Sequence, residues 1–204
     1  MKTKYQPQDM SKLSNNKAMM IDNIKKAIES IWEALVESIT NCDAGYAMAY
    51  QREDGYQGDV RIELERGGTV NPTILRIKDK AIGMSSKDID EKLNKYMNVT
   101  STTARSMHGK GFKDLLALGD IKVQSIKKDE KGKLRYSEYE YTGVWNKNPL
   151  LVTPIEKDEL INDKILKKLG KNKAKVGHIV EISIPFQAGE RFDIPQAGNI
   201  RERD

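Results

Sequence analysis

Cysteine occurs once in this chain of 204 residues, at Cys42, and histidine twice, at His108 and His178. One cysteine excludes an internal disulfide and fits a reducing compartment. Two histidines and one cysteine offer no cluster at metal-ligand spacing. No apolar run reaches the length of a membrane span, and the polar opening stretch, residues 1 to 17, lacks the apolar centre of a secretory signal. The sequence therefore predicts a cytoplasmic protein with no membrane partner. It contains no internal repeat or low-complexity tract. The hydrophobic fraction of 38% rises to about 45% when glycine is included, which is ordinary for a chain with one substantial core.

The charge balance is modestly basic, with a net +5 and a sequence pI near 9.1. Lysines crowd residues 164 to 175, but no aromatic residue stands among them to stack on a base. That stretch reads as a solvated helix end and loop, with nucleic-acid binding as the lesser alternative.

Ile24, Ile28, Ile31, Leu35, Ile39 and Cys42 recur at steps of three and four, predicting one helix with one buried stripe. Glu37 and Asn41 are one turn apart on it and share a face. A carboxylate can orient or deprotonate a water, and a carboxamide oxygen suits magnesium, which prefers oxygen ligands and keeps several waters. Taken alone, the pair also describes a solvated helix face. Glu33, one turn earlier, is a rival base, and Asp43 has at most a supporting role.

Two further segments complete a pattern. VRIEL at 60 to 64 and TILRIKD at 73 to 79 predict a hairpin that ends at Asp79, followed by Ala81, Gly83 and Met84. Ser85 and Asp88 then open a capped helix. After a hydroxyl-rich stretch at 98 to 107, Gly109, Lys110 and Gly111 precede the helical FKDLLAL, which begins at Phe112 and stops at Gly119. Glycines placed there leave backbone amides that can face phosphate.

The order of ESITNCDAG, DKAIGM and HGKGF resembles the ATP site of the gyrase B, heat-shock-90 chaperone, histidine kinase and MutL superfamily, the GHKL ATPases. The resemblance covers about residues 16 to 186, leaving an arm at 1–15 and a tail or linker start at 187–204. It implies an α/β (α+β) two-layer sandwich, the Bergerat fold, with a mixed, mainly antiparallel sheet covered on one face by helices. It implies Glu37 as the water-activating residue and Asn41 as the magnesium ligand. Asp79, with Gly83 and Met84, would receive the adenine. Thr100 and Ser101 would lie in a lid, and Gly109, Lys110, Gly111 and Phe112 would surround the phosphates. Three positions depart from the family patterns: Ala81 and Ser106 stand where glycine is usual, and His178 follows Gly177 where a threonine is common.

The implied function is ATP binding and hydrolysis with magnesium as cofactor, ADP as product, and a nucleotide-driven conformational switch. The switch would act through a homodimer, a partner protein or a second domain. A regulator without turnover and a histidine kinase catalytic domain are the alternatives. Against the kinase, Glu37 is present where such enzymes need no hydrolytic base, and no phosphoacceptor-histidine helix precedes the first box. The remaining sequence predicts strands at 121–129 and 133–141 around the turn EKGK, a helix over 153–170 opened by Thr153, Pro154 and Glu156, and a strand at 177–185.

Overall fold

The computed structural model describes residues 5–10, 17–49, 58–94, 110–170 and 172–194. The helices are α1 (Lys17–Ala27), α2 (Ile31–Ala49), α3 (Ser86–Lys92), α4 (Lys110–Asp114, continued by a 3-10 turn over Leu115–Ala117), α5 (Asp163–Lys168) and α6 (Phe186–Arg191). The strands are β1 (Gln8–Asp9), β2 (Arg61–Glu65), β3 (Thr73–Lys78), β4 (Asp120–Lys128), β5 (Leu134–Tyr141), β6 (Leu151–Leu160) and β7 (Gly177–Ile184). Among the described residues they form one sheet in the order β1-β6-β5-β4-β7-β3-β2. Every pairing is antiparallel, so the parallel component expected of a mixed sheet is not found. The fold class is α+β.

Alternation along the strands divides the two faces. Leu75 and Ile77 of β3, Val123 of β4, Tyr139 and Tyr141 of β5, and Ile182 and Ile184 of β7 point into one core. Ile24 of α1, Ala34 and Cys42 of α2, Ile89 of α3, Phe112 of α4 and Ala188 of α6 close it from the helical side. Each such large apolar side chain contributes roughly 1.5–3 kcal/mol on burial. Ile126 and Tyr136 point the other way, into a second small core with Ile165 of α5 and Ala174. Helices therefore cover both faces in part, instead of the one face expected.

Two other expectations are corrected. The helix predicted from Ile24 to Cys42 is two helices, because a fresh start intervenes at residues 28 to 30. There the Ser30 hydroxyl accepts from the Glu33 amide at 3.3 Å and the Glu33 carboxylate accepts from the Glu29 amide at 2.8 Å. The stripe also shifts. Ala34, Ser38, Cys42, Gly45 and Tyr46 are buried on α2, whereas Ile39 is 42% exposed.

The helix predicted over 153–170 is instead β6 followed by the short α5. Pairing with β5 from Val152 opposite Tyr141 to Leu160 opposite Arg135 overrides helix propensity there. Pro154 lies past the end of β1, which pairs only with Leu151 and Val152, so its missing N–H falls on an open edge. Helical character survives from Asp163, where the Asn162 side chain caps by accepting from the Ile165 amide at 3.0 Å.

The expected β2–β3 and β4–β5 hairpins and the strand β7 are all present. So is the capping box of α3, in which Ser85 accepts from the Asp88 amide at 3.2 Å and Asp88 accepts from the Ser85 amide at 2.8 Å.

Candidate functional site

α2 buries the small side chains Ala34, Ser38, Cys42 and Gly45, and beside them lies a cavity of about 140 Å³ that is lined also by residues of β3, β4 and β7. Asn41, Asp79, Gly83, Met84 and Phe112 line it, joined by Ser38, Cys42, Gly45 and His178. Segments far apart in sequence thus converge on one concave, mostly apolar space. It is smaller than the roughly 300–1,000 Å³ of a drug-sized site, so the described residues enclose room for part of a larger ligand, such as a planar base.

The register of β3 against β7 places Asp79 beside His178. Lys78 pairs with Ile179, and the Asp79 amide donates to the His178 carbonyl at 3.1 Å. Both side chains continue the inward alternation of their strands. Asp79 Oδ1 accepts from the backbone amides of Ala81 at 2.9 Å and His178 at 3.2 Å. His178 Nδ1 lies 3.1 Å from Oδ2. Burial opposes the charged form of Asp79, but the hydrogen bond and charge of His178, with the two backbone amides, outweigh it and hold the carboxyl below its usual range. Oδ1 accepts from two backbone amides and Oδ2 sits beside the His178 ring, so any ligand donor would share Oδ2 with His178. His178 therefore supports the carboxylate through both its ring and its backbone amide.

The positions around Asp79 explain which glycines are needed. Gly83 has φ +68°, and a Cβ there would lie 2.1 Å from the Ile126 carbonyl oxygen, so only glycine fits. Ala81 is absent from the residues with positive φ, and it is buried. Its methyl is accommodated by Gly45 of α2, where an added Cβ would come within 3.2 Å of it. Tyr46 fixes the same corner: its hydroxyl donates to the Asp59 carbonyl at 2.7 Å and accepts from the Lys80 amide at 2.8 Å.

Glu37 and Asn41 do share a face, and the Asn41 amide donates to Glu37 Oε1 at 3.1 Å. Asn41 lines the cavity, whereas Glu37 does not. Glu37 instead rests against Gly111, where a Cβ would fall 1.6 Å from its Oε1. The first and third boxes are thus in contact. Glu33 is engaged at the start of α2, away from the cavity, and Asp43 is exposed. Lys113 is fully buried, and that burial lowers its pKa to about 7, with Asp114 acting in the opposite direction. Thr100, Ser101 and Gly109 lie outside the described residues, as does the Lys110 side chain.

The chemistry missed in the sequence is that of Cys42. Burial, then the charge of Asp79 and a hydrogen bond to it, push this thiol up to about 12. Cys42 is therefore a neutral wall of the cavity and a donor to Asp79. At the mouth, Lys127 reaches Asp88 at 2.6 Å. Burial disfavours the Asp88 charge, but hydrogen bonds from Lys127 and Ser85 prevail and bring its pKa to about 2.

Among the described residues no group of three histidine, cysteine or acidic side chains is arranged to hold a metal ion, and no helix is long and apolar enough to cross a membrane. A scan against protein-family models matches none, and a search of curated proteins returns no match.

Proposed function

We propose that this chain is a magnesium-dependent, adenine-nucleotide-binding ATPase domain of GHKL type, with the Bergerat arrangement of helices on a sheet. The observation that carries the reading is the convergence of its three boxes. A buried carboxylate, Asp79, whose Oδ2 is shared with the His178 ring, stands in the same cavity as Asn41 and Phe112, while Glu37 touches Gly111. Asp79 Oδ2 accepts from the exocyclic amine of adenine, and Gly83 lets the chain pass close to β4 beneath the base.

The donor set fits magnesium in its usual form, with few protein ligands and several waters. The Asn41 amide nitrogen is turned to Glu37, which leaves its carbonyl oxygen to hold the ion beside the nucleotide phosphates. Bound magnesium supplies charge neutralisation at the phosphates. Glu37 orients or deprotonates the attacking water once its carboxylate turns from Gly111 toward the cavity. A second reading, nucleotide binding without turnover, draws on the present position of Glu37 outside the cavity lining.

Phosphate release at saturating ATP, measured beside calorimetric affinity, separates these readings. Glu37→Ala is expected to keep its affinity and lose about 10² or more in turnover. Asn41→Ala is expected to lose magnesium-dependent affinity as well, and Glu33→Ala to retain turnover. Absence of wild-type turnover, even with added partner, selects the binding-only reading. A dead Glu33→Ala with an active Glu37→Ala refutes the assignment of the box.

A further inference from the structure

The outer face of the sheet balances its charges across strands. Arg76 meets Glu65 at 2.9 Å and Glu181 at 2.6 Å, and Lys122 meets Glu181 at 3.4 Å. Lys78 meets Glu63 at 2.7 Å, Arg61 meets the same carboxylate at 2.8 Å, and Lys80 pairs with Asp59. The balance fails in the loop between α5 and β7, which packs against β4 and β5. Ala174 of that loop is buried in the second core with Ile126, Tyr136 and Ile165, which fixes the backbone. Its two neighbours, Lys173 and Lys175, are exposed and have no ion-pair partner among the described residues.

These two lysines face Arg61, Lys78 and Lys80 across a cavity of about 420 Å³. The floor is partly apolar, from Leu169, Val176 and Ile179, with Gln124 held by a hydrogen bond to the Tyr136 hydroxyl at 2.9 Å. Gly177, at φ +139°, closes the side: a Cβ there would lie 2.2 Å from the Asp79 carbonyl oxygen. Of the five cationic side chains that line the cavity, Arg61 and Lys78 share Glu63 and Lys80 pairs with Asp59, while the other lining carboxylate, Asp79, is turned to His178 on the inner face. The volume falls in the range of small-molecule sites. The local excess of positive charge, concave and backed by low-dielectric side chains, concentrates anions.

We infer that this outer cavity is a second binding site, taking a small multivalent phosphate-class anion such as diphosphate. The ammonium groups of Lys173 and Lys175 supply charge that no carboxylate among the described residues neutralises, and Arg61, Lys78 and Lys80 line the same cavity. Neither Lys173 nor Lys175 lines the inner cavity, so the inference stands apart from the adenine reading.

The test is a titration of the full chain with inorganic pyrophosphate, without magnesium, at about 50 mM salt, followed by amide chemical shifts. Saturable shifts are expected at Lys80 and from Lys173 to Ile179. The double variant Lys173→Glu with Lys175→Glu, whose sites are exposed and whose melting temperature should match wild type, is expected to bind at least tenfold more weakly. The double variant Lys131→Glu with Lys133→Glu, on the exposed turn between β4 and β5, changes the net charge equally, should stay within twofold and so controls for net charge. Three results overturn the inference: no saturable shift at these residues, equal weakening by the Lys131 and Lys133 control, or a single-stranded oligonucleotide moving these resonances when pyrophosphate does not. The last would assign the surface to a nucleic-acid backbone.

Discussion

Gly83 and Gly132 offer a paired test of the geometry under the inner cavity. Both have positive φ, +68° and +74°, so alanine at either meets the left-handed penalty of roughly 1–2 kcal/mol. That penalty is partly offset because alanine also restricts the unfolded chain, by about 0.4–1 kcal/mol. Gly132 has open space where a Cβ would stand, so Gly132→Ala is expected to cost only about 1 kcal/mol. At Gly83 the added Cβ would lie 2.1 Å from the Ile126 carbonyl oxygen, well inside an ordinary carbon–oxygen contact of about 3.3 Å. The obstacle is the backbone of β4, held on both sides by β5 and β7, and it cannot move aside as a flexible side chain can. Gly83→Ala is therefore expected to cost about 3–5 kcal/mol. For a chain of this size that lowers the melting temperature by about 6–20 °C, against about 2–4 °C for Gly132→Ala. Thermal denaturation followed by circular dichroism measures both. Equal losses at the two sites would refute the close approach of residue 83 to β4, and with it the shape of the cavity floor.

The Cys42 thiol, at about 12, holds about one part in 10⁴ as thiolate at pH 8. Its alkylation by iodoacetamide should be about 10³ slower than that of a free cysteine and should recover in denaturant; rapid modification of the folded chain would contradict its burial beside Asp79. The Asp88 carboxyl is lowered from 3.8 to about 2 in the folded state, so its stabilisation is complete above about pH 5 and is lost as the pH falls through 2. Screened by solvent at this partly exposed carboxylate, the loss amounts to about 1 kcal/mol and should shrink in Lys127→Met. Urea midpoints between pH 2 and pH 6 for both proteins check this, and identical profiles would remove the Lys127–Asp88 contact from the account.

Much of the sheet was legible because alternation writes one face of a strand directly into sequence. The runs at 60–64, 73–79, 121–129, 133–141 and 177–185 all became strands. Residues 153–160 defeated the same reading, since Thr153, Pro154 and Glu156 imitate a helix start while the deciding interaction is pairing with β5. On α2 the apolar stripe misled in the other direction: the buried face is made of Ala34, Ser38, Cys42, Gly45 and Tyr46, most of them too small or too polar to stand out as a stripe. Of the residues that the resemblance marked, Asn41, Asp79, Gly83, Met84 and Phe112 line one cavity, and Glu37 and Gly111 do not. The part played by His178 was not legible, because it depends on the register of β7 against a strand about a hundred residues earlier. The outer cationic cavity was hidden for the same reason. Its lysines at 173 and 175 read as a solvated loop until β2 and β3 are placed opposite them.

The adenine assignment stands or falls on base selectivity at Asp79. Calorimetric titration of wild type and Asp79→Asn with ATP and with GTP, each with magnesium, measures it. An acceptor at Oδ2 favours the amine of adenine over the carbonyl oxygen that guanine carries there, so wild type should prefer ATP. Asp79→Asn can keep the backbone amides on its carbonyl oxygen, but then presents an amide donor toward the base. The loss of about 1–3 kcal/mol corresponds to about 5- to 150-fold weaker ATP binding, with little change for GTP. Equal affinity of wild type for the two nucleotides, or an unchanged ATP affinity in Asp79→Asn, would contradict the proposal that this cavity reads adenine.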